Sequence, residues 1–97
     1  MLKGILMISQ TSKKGTVRFV YSPDGPVKQV CLAGSFTDWK PVAMKKQQNG
    51  PYALEVNLSK GQHEYKFVVD GVWQSDPGNT DTVTNSLGTV NSVVIVK

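Results

Sequence analysis

No stretch of ten residues in this chain keeps a helical period; short apolar runs are instead cut off by turn residues at nearly regular intervals. The runs are 16–21, 28–33, 42–46, 52–58, 62–69, 72–75 and 89–96. Between them stand Ser22-Pro23-Asp24-Gly25-Pro26, Asn49-Gly50-Pro51, Ser59-Lys60-Gly61, Asp70-Gly71 and Asp76-Pro77-Gly78-Asn79. Nine glycines and five prolines fall mostly at these breaks. Such spacing predicts an all-β chain, folded as an antiparallel immunoglobulin-like β-sandwich of about seven short strands.

Side-chain alternation supplies the faces. Tyr52, Leu54, Val56 and Leu58 fall on one side of a strand, and Ala53, Glu55 and Asn57 on the other. In the next run Tyr65, Phe67 and Val69 oppose Glu64, Lys66 and Val68. A period of two with one apolar face suits a half-buried sheet, so the first sets are expected in the core, with Phe19, Val30 and Leu32. Asp70-Gly71 between Val69 and Val72 reads as a two-residue hairpin turn of type I′, which needs positive φ at both central residues. That register pairs Val69 with Val72, Val68 with Trp73 and Lys66 with Ser75. Trp73 then shares a face with Lys66 and points away from the predicted core.

The other tryptophan, Trp39, also sits among turn residues, in Gly34-Ser35-Phe36-Thr37-Asp38-Trp39-Lys40-Pro41. Two indoles beside loops suggest a flat ligand with apolar faces and a polar rim. The structural alternatives are a Trp73 that covers a second small cluster beneath a loop and a Lys66 that is merely a solvated strand residue. Phe36 is expected in the core, with Gly34 permitting a bend or bulge.

Composition narrows the function classes. With 97 residues, 39% hydrophobic and 19% charged, the chain fits one globular domain. Its net charge of +4 comes from scattered lysines, so no nucleic-acid patch is expected. The single cysteine, Cys31, allows no internal disulfide, and His63 has no second histidine to complete a metal or catalytic set. Asp76-Pro77-Gly78-Asn79-Thr80-Asp81 fails the EF-hand pattern and reads as Asx turns. No nucleophile–base pair or paired carboxylates can be assembled, so no enzyme, no cofactor and no metal is expected. Asn57-Leu58-Ser59 is a glycosylation acceptor in form only. Residues 1–14 form a lead or an extra strand, and 15–97 the sandwich. The apolar opening is too short for a signal peptide, and no run reaches membrane-spanning length, so a cytoplasmic setting without membrane contact is expected.

The runs Leu32-Ala33-Gly34-Ser35-Phe36-Thr37-Asp38-Trp39, Gly61 through Trp73, Asp76-Pro77 and Leu87-Gly88-Thr89-Val90-Asn91 occur in that order. Together they resemble carbohydrate-binding module family 48, and within it the glycogen-binding domain of the AMP-activated protein kinase β subunit. The resemblance covers residues 15–97 and leaves the opening octet without a counterpart. It implies a β-sandwich that binds α-1,4-linked glucans such as glycogen or starch without catalysis, tethering an attached or associated enzyme or kinase. Trp39 and Trp73 match the tryptophans that stack on glucose rings. Lys66 matches a lysine that bonds sugar hydroxyls, and Leu87 a loop leucine that reaches into the glucan's curve. Thr89 and Asn91 match polar contacts at the start of the last strand. The chemistry suits such a ligand: indole faces cover C–H surfaces, while lysine donates and asparagine both donates and accepts. A β-sandwich that meets a protein partner, as a kinase regulatory scaffold would, is the alternative. Single-stranded nucleic-acid binding is a weaker one.

Overall fold

A computed structural model of the chain describes residues 8–10 and 15–97. Residues 1–7 and 11–14, most of the expected N-terminal lead, lie outside the described residues. The described chain forms β1 (Ile8–Gln10), β2 (Thr16–Tyr21), β3 (Val30–Gly34), β4 (Val42–Ala43), β5 (Lys45–Lys46), β6 (Tyr52–Asn57), β7 (Gly61–Val69), β8 (Val72–Gln74), β9 (Thr82–Thr84) and β10 (Val90–Val96). A single 3-10 turn, Ser35–Thr37, follows β3. Among the described residues no helix is long and apolar enough to cross a membrane.

The strands make two antiparallel sheets, one in the order β1-β2-β6-β5 and the other β4-β3-β7-β10-β9, with β8 added to β7. Alternation places the core between them. Val17 and Phe19 of β2 face Val30 and Leu32 of β3 and Tyr65 and Phe67 of β7, and all six are fully buried. Phe19 meets Tyr65 edge-on at 4.9 Å between ring centres, and Tyr21 leans on Phe67 at 5.1 Å. Burying each such side chain contributes about 1.5–3 kcal/mol before conformational entropy is counted. Phe36 extends this cluster, stacked 5.7 Å from Phe19.

The strands number ten among the described residues rather than about seven, for local reasons. The run expected at 42–46 divides: Val42–Ala43 pairs with β3 in one sheet and Lys45–Lys46 with β6 in the other. Met44 between them is buried, and its N–H donates to the Val30 carbonyl at 2.9 Å, so the chain crosses from sheet to sheet there. Ile8–Gln10 pairs with β2, and Thr82–Thr84 forms a short edge strand on β10.

Gly34 departs from its expected role. Its backbone is extended, at φ −166°, and the bend comes after it. What the site requires is clearance: a Cβ there would stand 2.6 Å from the Glu64 carbonyl oxygen and 2.6 Å from the Phe36 ring.

Candidate functional site

β7 serves two surfaces at once. Tyr65, Phe67 and Val69 face the core, while Glu64, Lys66 and Val68 lie on the outer face. The Asp70-Gly71 turn has φ +48° and +85°, as a type I′ turn demands. The Asp70 carboxylate accepts from the N–H groups of Lys28 (2.9 Å) and Gln29 (2.8 Å), which anchors the turn to the start of β3. The paired rungs are Val69–Val72, Val68–Trp73 and Phe67–Gln74; β8 stops before the further rung expected between Lys66 and Ser75. Trp73 emerges on the outer face, 46% exposed. Its cross-strand neighbour Val68 belongs with Cys31 and Ala33 to a second small buried cluster on that face. Burial also pushes the Cys31 thiol above its ordinary range.

Trp39 reaches the same face by a different device. After the 3-10 turn, Asp38 and Trp39 both adopt left-handed backbone, at φ +58° and +60°. Aspartate tolerates this conformation; for tryptophan it costs about 1–2 kcal/mol. Hydrogen bonds offset that cost. The Trp39 N–H donates to the Gly34 carbonyl at 2.9 Å and the Lys40 N–H to the Thr37 carbonyl at 3.1 Å. The Thr37 hydroxyl accepts from the Gly34 N–H at 3.0 Å and donates back to the Gly34 carbonyl at 3.1 Å.

The third part is the turn between β9 and β10. The Asn85 side-chain oxygen accepts from the N–H groups of Leu87 (2.9 Å) and Thr89 (3.1 Å), and its Nδ2 donates to the Thr89 hydroxyl at 2.7 Å. The Gly88 N–H donates to the Asn85 carbonyl at 3.0 Å. Gly88 supplies the positive φ, +84°. This framework holds Leu87 out in solvent at 85% exposure, so it does not plug the end of the sandwich. Lys66 Nζ donates to the Thr89 hydroxyl at 3.2 Å, and Asn91 Nδ2 to Glu64 Oε1 at 2.9 Å.

These pieces enclose one open groove of about 410 Å³, lined by Trp39, Glu64, Lys66, Trp73, Asn85, Ser86, Leu87, Thr89 and Asn91. It brings together all six residues that the sequence singled out. Glu64, Asn85 and Ser86 were not among them. Glu64 carried a signal, since it shares the outer face of β7 with Lys66; Asn85 and Ser86 lie in a turn that period-two reasoning does not reach. A second concavity of the same size is lined by the turns at Ser22–Val27 and Asn49–Tyr52. Size therefore does not choose between them; the exposed indoles do. Chemically, the first groove offers two indole faces, an apolar tip and neutral or singly charged hydrogen-bonding groups, a set matched to a ligand with both C–H faces and hydroxyls.

Comparison with known proteins gives the family. Residues 16–97 match the family model described as the glycogen recognition site of AMP-activated protein kinase. Over 78 residues the chain is 42% identical to 5′-AMP-activated protein kinase subunit beta-1 of Rattus norvegicus, covering 80% of this chain and 28% of that protein. The subunit beta-1 of Homo sapiens is 41% identical over the same coverage. Subunit beta-2 of Mus musculus is 37% identical over 70 residues, 72% of this chain and 26% of that protein. The chain thus spans little more than a quarter of these relatives' length.

Proposed function

The chain belongs to the family of glycogen recognition sites of AMP-activated protein kinase, and on that premise we propose that its groove binds α-1,4-linked glucans by indole stacking and hydroxyl hydrogen bonds. The module is non-catalytic. One observation carries the finer reading: Trp39, Trp73 and Leu87, from three separate segments of the chain, are exposed around a single groove that Lys66, Thr89 and Asn91 also line. In this reading the indoles cover the C–H faces of glucose rings, and Leu87 fills the concave side of a curved glucan. Lys66 and Asn91 serve the hydroxyls. Residues 15–97 act as a tether that brings an associated kinase or other enzyme to glycogen or starch, in the cytoplasm.

Titration with maltoheptaose or β-cyclodextrin, followed by calorimetry and tryptophan fluorescence, tests this. An open groove that excludes little water gives Kd values on the order of micromolar to millimolar. Trp73→Ala is expected to weaken binding at least about tenfold, or about 1.4 kcal/mol. The melting temperature should move little, because the ring is half exposed. Neutral sugar binding should hardly respond to salt, whereas nucleic-acid binding would fall steeply. No heat and no fluorescence change at millimolar sugar would overturn the reading.

A further inference from the structure

We propose that Glu64 is a positioning residue of the groove, deciding which end of the Asn91 carboxamide is offered to a bound hydroxyl; the inference rests on the groove being the glucan site. β10 and β7 pair Ser92 with Tyr65, so continuing the register sets Asn91 opposite Lys66. The side chains do not follow that rung. Lys66 donates to Thr89, and Asn91 reaches diagonally to Glu64. Glu64 and Lys66 share a face of β7 with opposite charge, yet among the described residues the ion pair is Arg18–Glu55, and these two do not meet.

Asn91 is 4% exposed, so its amide orientation is fixed by its neighbours rather than averaged in water. A carboxylate only accepts, and therefore selects the amide nitrogen. Among the described residues nothing bonds the Asn91 oxygen, and no buried side-chain polar atom is left without a partner. That oxygen accordingly keeps access to the groove that Asn91 lines. Glu64 is itself held from behind: its N–H donates to the Ser35 hydroxyl at 3.2 Å, and that hydroxyl donates to the Glu64 carbonyl at 3.4 Å. The groove then presents a donor in Lys66 and an acceptor in Asn91, the pair that a sugar hydroxyl needs.

The test uses Glu64→Ala, Glu64→Gln, Asn91→Ala and the double alanine variant of the whole chain, each titrated with maltoheptaose. Glu64→Ala should weaken binding about fivefold, the worth of one ordinary hydrogen bond, and lower the melting temperature, because the buried Asn91 amide nitrogen loses its acceptor. Glu64→Gln should recover most of that loss, because its amide oxygen also accepts. The double variant should bind no more weakly than Asn91→Ala alone. Without sugar, the Asn91 side-chain NH₂ resonances should shift in Glu64→Ala and stay near their wild-type positions in Glu64→Gln. Wild-type affinity in Glu64→Ala, additive losses in the double variant, or Asn91 resonances indifferent to Glu64 would overturn the proposal. If sugar binding depends on Trp73 but not on Glu64, only this inference falls. If the wild type binds no sugar, the glucan reading falls and this inference with it.

Discussion

At the scale of single residues, the groove depends on two positions that ordinary preference would fill differently. Trp39 stands in left-handed backbone, which a bulky side chain adopts only where its surroundings over-determine it. Gly34 makes that possible, since its carbonyl anchors the Trp39 N–H and its missing side chain lets β3 lie against Glu64 and Phe36. Gly34→Ala is expected to cost about 1–3 kcal/mol through overpacking, seen as a lower urea midpoint, and to weaken sugar binding by displacing Trp39. Unchanged stability would show that Phe36 moves aside freely. This residue-level geometry was the least legible part of the sequence. A tryptophan in a turn has no periodicity to orient it, and only the family resemblance turned Trp39 outward. Glu64 was legible as to face but not as to role, because a period of two cannot reveal that its partner is Asn91 rather than Lys66.

Among the elements, the β7–β8 hairpin carries the most information per residue. Asp70-Gly71 fixed its register from sequence alone, and the register fixed the direction of Trp73. Gly71→Val places a β-branched residue at φ +85°, where even an ordinary residue costs about 1–2 kcal/mol. Destabilisation of at least that size is expected, together with weaker sugar binding as Trp73 loses its register. Retained affinity in a variant destabilised to that degree would show that the hairpin does not set the indole. The strands that escaped sequence reasoning were short or divided. Thr82–Thr84 holds one apolar residue among threonines, and the run at 42–46 alternates without saying which sheet each half joins.

Across the whole molecule, a buried polar link on the core side of β7 ties the segment after β8 to β7 and β10. The Tyr65 ring is in the core, while its hydroxyl donates to Asp76 Oδ2 at 2.7 Å and accepts from Asn79 Nδ2 at 3.0 Å. The Asp76 N–H in turn donates to the Ser92 hydroxyl at 2.7 Å, which ties β8's end to β10. Burial first, then the Asp76 charge, holds the Tyr65 phenol well above its ordinary range. Folding thus favours the neutral phenol; this contribution is complete below about pH 10 and is lost as pH rises through the folded value. Burial raises Asp76 as well, so its ionisation also opposes folding, with the contribution complete below about pH 4 and lost as pH climbs through its folded value. Tyr65→Phe should be less stable at neutral pH, leaving Asp76 and Asn79 short of a partner, yet lose less stability than the parent above about pH 10. Parallel alkaline unfolding curves would place the titration elsewhere. Leu87, held in water by the Asn85 framework, bears on time as well as on strength. A turn already braced by its own hydrogen bonds leaves no loop to order when a ligand arrives, so association is expected to run at the pace of encounter and a weak complex to exchange quickly. On the proposed glucan reading, a module of this kind is expected to visit many sites on one polymer in succession instead of settling on one.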